Sequence, residues 1–255
     1  MSDNHSAGDD QGSVDRRTVV GELMSAQTIA DETVTTVLLL ERLCRAAAQN
    51  LAAVGVVVGL MSEAGSVGVV ASADDHSAEF DELQFTLGEG PSHDAFRLRR
   101  PVLIADLGSP EGEAWPIYRV SALEAGVSGV FAFPLHIGAS AFGVFTIYIS
   151  NAGPLDYQQL RMAITFAEIA TEILLDADST SSDGSLHPGV EAALSYRTEI
   201  YQAQGFVMVQ LDISLTEALV RMRAHAFSHD QTLAELATLI MSGSVVLTLA
   251  LTPEC

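Results

Sequence analysis

Four short runs decide how the C-terminal part of the chain folds: Arg197-Thr-Glu-Ile-Tyr-Gln-Ala-Gln-Gly205, Ser214-Leu-Thr-Glu-Ala218, Arg221-Met-Arg-Ala-His-Ala226 and Leu233-Ala-Glu-Leu-Ala237. Ala193, Tyr196, Ile200, Ala203, Val207 and Leu211 recur at steps of three and four, which is one apolar face of a helix. Ser214 precedes Glu217, and Thr232 precedes Glu235, each by three residues. That is the capping box, which satisfies the free amides of a helix start, so two more helices begin there. The second of the three is expected to bury Leu215, Leu219, Met222 and Ala226. Arg221 and Arg223 then flank that stripe, about 100° away on each side. Gly205 costs about 1 kcal/mol relative to alanine inside a helix, so its presence predicts a close approach by another backbone. The apolar end, Leu239 to Leu251, reads as an assembly surface.

Upstream, helical spacing of Val34, Val37, Leu38, Leu43 and Ala47 predicts a long helix over Thr28 to Asn50. Ala53 to Met61 and Gly65 to Ala71 are β-branched runs parted by Ser62-Glu-Ala-Gly65, a hairpin. Phe80-Asp-Glu-Leu-Gln84 and the glycine-rich turn Leu87-Gly-Glu-Gly-Pro91 lead into a short helix through Phe96. A strand over Pro101 to Ala105, an irregular segment with Trp115-Pro116, a helix through Ala125, two strands and a helix from about Pro154 to Asp176 complete the order. Gly129 to Ile149 is apolar enough to suggest a membrane span, but Pro134, Gly138 and Gly143 break it into two buried strands. The expected fold class is α+β, an antiparallel sheet with helices on one side followed by a small three-helix bundle.

Composition removes whole classes of function. The 255 residues carry 12 Lys+Arg against 33 Asp+Glu, a net charge of -21, which disfavours diffuse attraction to nucleic acid or an anionic membrane. All 12 basic residues are arginine. Without lysine there is no P-loop, no Schiff base and no kinase phosphate clamp. Cys44 and Cys255 are far apart and read as free thiols of a cytoplasmic protein. Met1 to Asp15 is polar and acidic, unlike a secretory signal.

The motif Ala203-Gln-Gly205 followed by Glu217-Ala218 closely resembles that of the ANTAR domain, an RNA-binding antitermination module. Leu87-Gly-Glu-Gly-Pro91, Val102-Leu-Ile-Ala-Asp106, Trp115-Pro116, Gly126-Val-Ser-Gly-Val130 and Phe133-Pro-Leu135, in this order, are similar to motifs of the GAF sensory family. Ser92 stands where many bacterial relatives carry cysteine. The implied organisation is a polar N-terminal segment (1–24), a GAF-like sensor (25–176), a linker (177–188), an ANTAR-like module (189–248) and a tail (249–255).

The resemblance implies a non-catalytic regulator that binds hairpins in a nascent mRNA leader. Candidate RNA contacts are Arg197, Gln204, Arg221, Arg223 and His225, since arginines pair with phosphate and stack on unpaired bases. Gln204 replaces the lysine of many family members. From His187 onward there are 3 Arg and 7 acids, 3 − 7 = −4, so a signalling adaptor without RNA affinity is the competing reading. An unknown small molecule is expected in the crevice between the sheet and Phe85 to Tyr118, with Ser92, His93, Trp115 and His136 as candidate contacts. Ser92-His-Asp94 is no hydrolytic triad, because adjacent residues cannot form the relay. No metal or cofactor is expected, and no membrane association. The stripe Leu160, Ala163, Ala167, Ala170 and Leu174 is either a homodimer seam or the inner face of a helix on its own sheet.

Overall fold

The computed structural model describes residues 35–62, 65–138, 140–180, 188–229 and 231–248. The N-terminal segment, the beginning of the helix expected from Thr28, residues 181–187 of the linker and the tail lie outside them. Helix α1 (Thr36–Asn50) starts where the Thr35 hydroxyl accepts from the Leu38 amide. Strands β1 (Gly55–Ser62) and β2 (Gly65–Ser72) form the expected hairpin. Helix α2 (Asp75–Leu87) follows, then α3 (Pro91–Leu98), β3 (Val102–Ile104), a 3-10 turn (Pro110–Ala114), α4 (Pro116–Glu124), β4 (Gly129–Ile137), β5 (Ser140–Ile149) and α5 (Tyr157–Thr180).

The sheet has the order β2-β1-β5-β4-β3, and each neighbouring pair is antiparallel. Its helices do not lie on one side. Val56, Val58, Phe133 and Phe145 pack with α1 and α5, whereas Val57, Val130 and Tyr148 pack with α2 and α4 on the opposite face. Both faces are therefore buried, which explains why β4 and β5 read as continuous apolar runs rather than alternating ones. Ala163, Ala167, Ala170 and Leu174 of α5 are buried in the first of these cores, and Leu160 packs against it. That stripe is the inner face of its own domain, so it gives a dimer seam no support. Among the described residues no helix is long and apolar enough to cross a membrane.

Helix α2 covers a stretch for which the sequence predicts no helix. Asp74 caps it by accepting from the Ser77 amide and hydroxyl, and Gly88 closes it in the left-handed region at φ 72°. Helix α5 extends to Thr180, past the expected start of the linker.

The C-terminal module is α6 (Pro188–Leu211), α7 (Leu215–Ser228) and α8 (Leu233–Met241). Both expected starts are present: the Ser214 hydroxyl accepts from the Glu217 amide, and Thr232 with Glu235 forms the full capping box. Ile200, Ala203, Val207, Leu219, Met222 and Leu236 form its core, and Leu247 closes it. Two expectations fail. Leu215 is exposed: it opens the first turn of α7, where α6 reaches its backbone carbonyl and not its side chain. Gly205 has nothing within 4 Å of the position a Cβ would take, so no other backbone among the described residues approaches it.

Candidate functional site

The core of the module contains one residue from the sensor, Phe85 of α2. Burying such a ring contributes about 2 to 3 kcal/mol, and here the gain falls across the domain boundary. Around Phe85 the two domains exchange charges. Arg197 of α6 is only 1% exposed, and its guanidinium carbon lies 3.4 Å from the centroid of the Phe85 ring. Its Nη2 lies 3.4 Å from Glu82 Oε2, to which it donates, and 3.7 Å from Asp81 Oδ2. Its Nε and Nη1 are buried with no hydrogen-bond partner among the described residues. Arg223 of α7 comes from the other side: its Nε donates to the Phe85 carbonyl oxygen at 3.2 Å, in the last turn of α2, where a cation suits the helix dipole. A Cβ at Gly88 would lie 2.5 Å from Arg223 Nη1, so the glycine that ends α2 also makes room for this arginine.

Burial sets the electrostatics. It raises the Asp81 carboxyl above its usual range despite Arg197. Glu82 is pushed from 4.5 up to about 7, because burial outweighs the attraction of Arg197. Burial also works against the charge of Arg223, with Arg197 adding to that effect. His93 Nε2 lies 3.0 Å from the Gln84 carbonyl, and burial holds its pKa down at about 4, with the charges of Arg223 and Arg197 acting in the same direction. His93 is thus a neutral donor beside the junction.

Of the expected RNA contacts, the structure brings Arg197 and Arg223 together on Phe85. The other three do other things. Gln204 is buried and donates through Nε2 to the Leu215 carbonyl at 2.8 Å, tying α6 to the start of α7. Arg221 Nη2 lies 3.1 Å from Glu217 Oε1 on the surface of α7. His225 stacks on His229 with centroids 4.0 Å apart, and its pKa is lowered by burial and by that neighbour.

The expected ligand contacts are also divided. The Ser92 hydroxyl accepts from Gln84 Nε2 at 2.8 Å and shares a 2.9 Å hydrogen bond with Thr146, while Gln84 Nε2 also donates to Tyr148 at 2.9 Å. This network fills the space between α2, α3 and the sheet where a ligand was expected. His93 and Trp115 line a cavity of about 480 Å³ outside it, with Arg97 and Arg99. His136 is exposed at the far end of β4.

Asp81, Glu82 and Phe85 are the residues that sequence reasoning did not assign. Phe80-Asp-Glu-Leu-Gln84 does not read as a helix by its apolar spacing alone. The pattern Asp74-Asp-His-Ser77 was the available signal, an N-cap that starts α2 and sets Asp81 and Phe85 four apart on one face. Glu89 is a second missed device. Its Oε1 accepts from the amides of Ile117 and Tyr118 at 2.8 and 2.9 Å, so the turn after α2 caps α4 across 28 residues.

The chain belongs to the GAF domain family, whose model matches residues 37–174, more than half of its length, and it carries an ANTAR domain over residues 189–241. Both are regulatory rather than catalytic domains: GAF domains are small-molecule sensors, and ANTAR domains are RNA-binding antitermination modules. Among solved structures, the GAF domain from Acinetobacter phosphoenolpyruvate-protein phosphotransferase is 12% identical at a TM-score of 0.49, covering 71% of this chain and 99% of that one. The corresponding domain from Coxiella burnetii is 14% identical at 0.49, over 67% and 96%. The second GAF domain of DevS from Mycobacterium smegmatis is 20% identical at 0.39, over 55% and 94%. No curated protein matches the chain.

Proposed function

We propose that this protein is a cytoplasmic, signal-responsive regulator that binds hairpins in nascent mRNA leaders through its ANTAR domain and so controls transcription termination. One observation carries the reading of how signal reaches RNA. Arg197 and Arg223, two of the three arginines of the module, are held by α2 of the sensor. A guanidinium stacked on an aromatic ring and paired with a carboxylate is in the situation it would meet on an unpaired base beside a phosphate. Sensor and RNA therefore compete for the same groups, and the docked state is the silent one. Ligand binding to the sensor shifts the balance toward release by as much as it favours the undocked state. A homodimer is the proposed active form, supported by Phe206 and Val209, exposed on α6 beside the open Gly205.

The test is a selection of hairpin-loop RNAs on the full chain, followed by titration of the winners against wild type and the Arg221→Ala/Arg223→Ala double variant. The proposal expects selective binding by wild type that is lost in the double variant. With three arginines per module, the slope of log affinity against log salt should be no steeper than about −2 per protomer, at about −0.7 per single-strand contact. Failure of every hairpin to bind would leave an adaptor that senses a ligand without touching RNA.

A further inference from the structure

Beside the arginine junction lies an open cleft of about 1070 Å³, walled by α2 and α4 of the sensor and by the end of α7 and the start of α8. Its walls include Ile117 and Val120 of α4 and Phe227 of α7, which are 47%, 55% and 55% exposed. Large apolar side chains facing each other across a solvent-filled gap between two domains form a surface suited to an apolar occupant. The gap depends on the turn after α2, since Glu89 sets the N-terminus of α4 and so the placement of Ile117.

The polar part of the lining has one sign. Glu79, Glu82, Glu124 and Glu235 contribute carboxylates, among the described residues no arginine lines the cleft, and the chain has no lysine. Two of these acids are already engaged: Glu79 with His76 at 2.8 Å, and Glu235 in the capping box of α8. Glu124 has no ion pair among the described residues. Glu82 is the decisive one, because the same carboxylate that lines the cleft holds Arg197.

We infer that this interdomain cleft is an effector site for an organic cation with an apolar body, whose charged group takes Glu82 from Arg197. The inference deepens the proposed regulation by giving the signal a place and a charge. The apolar body lies against Ile117 and Val120 of α4, so the ligand stays on the sensor when the module leaves. The cationic head meets Glu82 and Glu124, and Arg197 is left stacked on Phe85 with its closest carboxylate withdrawn. An anion would meet four carboxylates there and would leave the Arg197 contact intact. A neutral ligand would gain the apolar contacts alone.

The experiment uses the full chain and three isosteric probes, 4-phenylbutylammonium, 4-phenylbutanol and 4-phenylbutanoate, titrated by calorimetry, with amide exchange across Asp81 to Leu87 followed in parallel. The ammonium should bind about tenfold more tightly than the alcohol, as expected for one hydrogen bond to a charged group, and the carboxylate should not bind. The ammonium alone should speed exchange in α2. Val120→Ser and Glu124→Gln, both at exposed positions of α4, should each weaken ammonium binding. Equal binding of ammonium and alcohol, insensitivity to both substitutions, or unchanged exchange in α2 on saturation would each overturn the inference. None of these readouts involves RNA. A protein that binds the ammonium as described but no hairpin keeps the site and loses only the RNA reading.

Discussion

Replacing Arg197 with methionine keeps an unbranched side chain at the junction and removes the guanidinium that stacks on Phe85, so it reads what the guanidinium contributes to holding the module on the sensor. Breaking a buried pair by removing one partner costs about 3 to 5 kcal/mol, because the remaining charge stays behind. Here the remaining groups soften that cost. Asp81 and Glu82 both have raised pKa values and take up protons more readily once the cation is gone. Stacking on Phe85 at 3.4 Å in a desolvated position contributes about 1 to 2 kcal/mol of its own. The net expectation is a loss of about 3 kcal/mol of docking, roughly a hundredfold in the opening equilibrium. Amide exchange of residues 82–87 in α2, in wild type and Arg197→Met at one pH, reads this directly. Adding Asp81→Asn and Glu82→Gln to Arg197→Met should recover part of the loss, since no charge is then stranded. If Arg197→Met left exchange in α2 within a few fold of wild type, the junction would not be held by this arginine.

Arg223→Ala should destabilise docking by about 1 to 2 kcal/mol through the lost charged hydrogen bond to the Phe85 carbonyl, whereas Arg221→Ala, which loses a helix pair to the exposed Glu217 and no contact with α2, should leave docking unchanged; amide exchange across α2 in the two variants side by side tests the ranking. Gly205→Ala should stabilise the module by about 0.5 to 1 kcal/mol, since the site is helical and open, and a fall in melting temperature would show that a partner backbone sits there. Stability should vary with pH with opposite signs at two groups. Glu82, raised from 4.5 to about 7, contributes stability that is complete below 4.5 and lost as pH rises through about 7. His93, lowered from 6.5 to about 4, contributes stability that is complete above 6.5 and lost as pH falls toward 4. Wild type should therefore lose stability between about pH 6.5 and 7.5, and Glu82→Gln should lose less there; identical slopes would remove Glu82 as the titrating group.

The module was legible because its signals are local. Capping boxes at Ser214 and Thr232 and the spacing of Ile200, Ala203 and Val207 specify helices without reference to anything distant. The strands were legible as apolar runs, but the same continuity hid which face the helices would cover, and only contacts with α1 and α5 on one side and α2 and α4 on the other decide it. Helix α2 was missed because its buried residues, Phe80, Asp81, Gln84 and Phe85, mix apolar and polar types on the inner face. Asp81 and Gln84 are inside because Arg197 and Tyr148, both remote in sequence, meet them there together with the nearby Ser92. The role of Arg197 was hidden for the same reason: its type suggests RNA, while its partners lie 115 and 116 residues upstream.

The affinity of the full chain for a selected hairpin, compared between wild type and Phe85→Ala, tests the competition most directly. The substitution lies in the sensor and removes the ring that enters the core of the module and stacks under Arg197. If docking and RNA reading draw on the same arginines, the variant should bind the hairpin at least about tenfold more tightly, because a larger share of the protein is competent to bind. Affinity equal to or weaker than wild type would contradict the account.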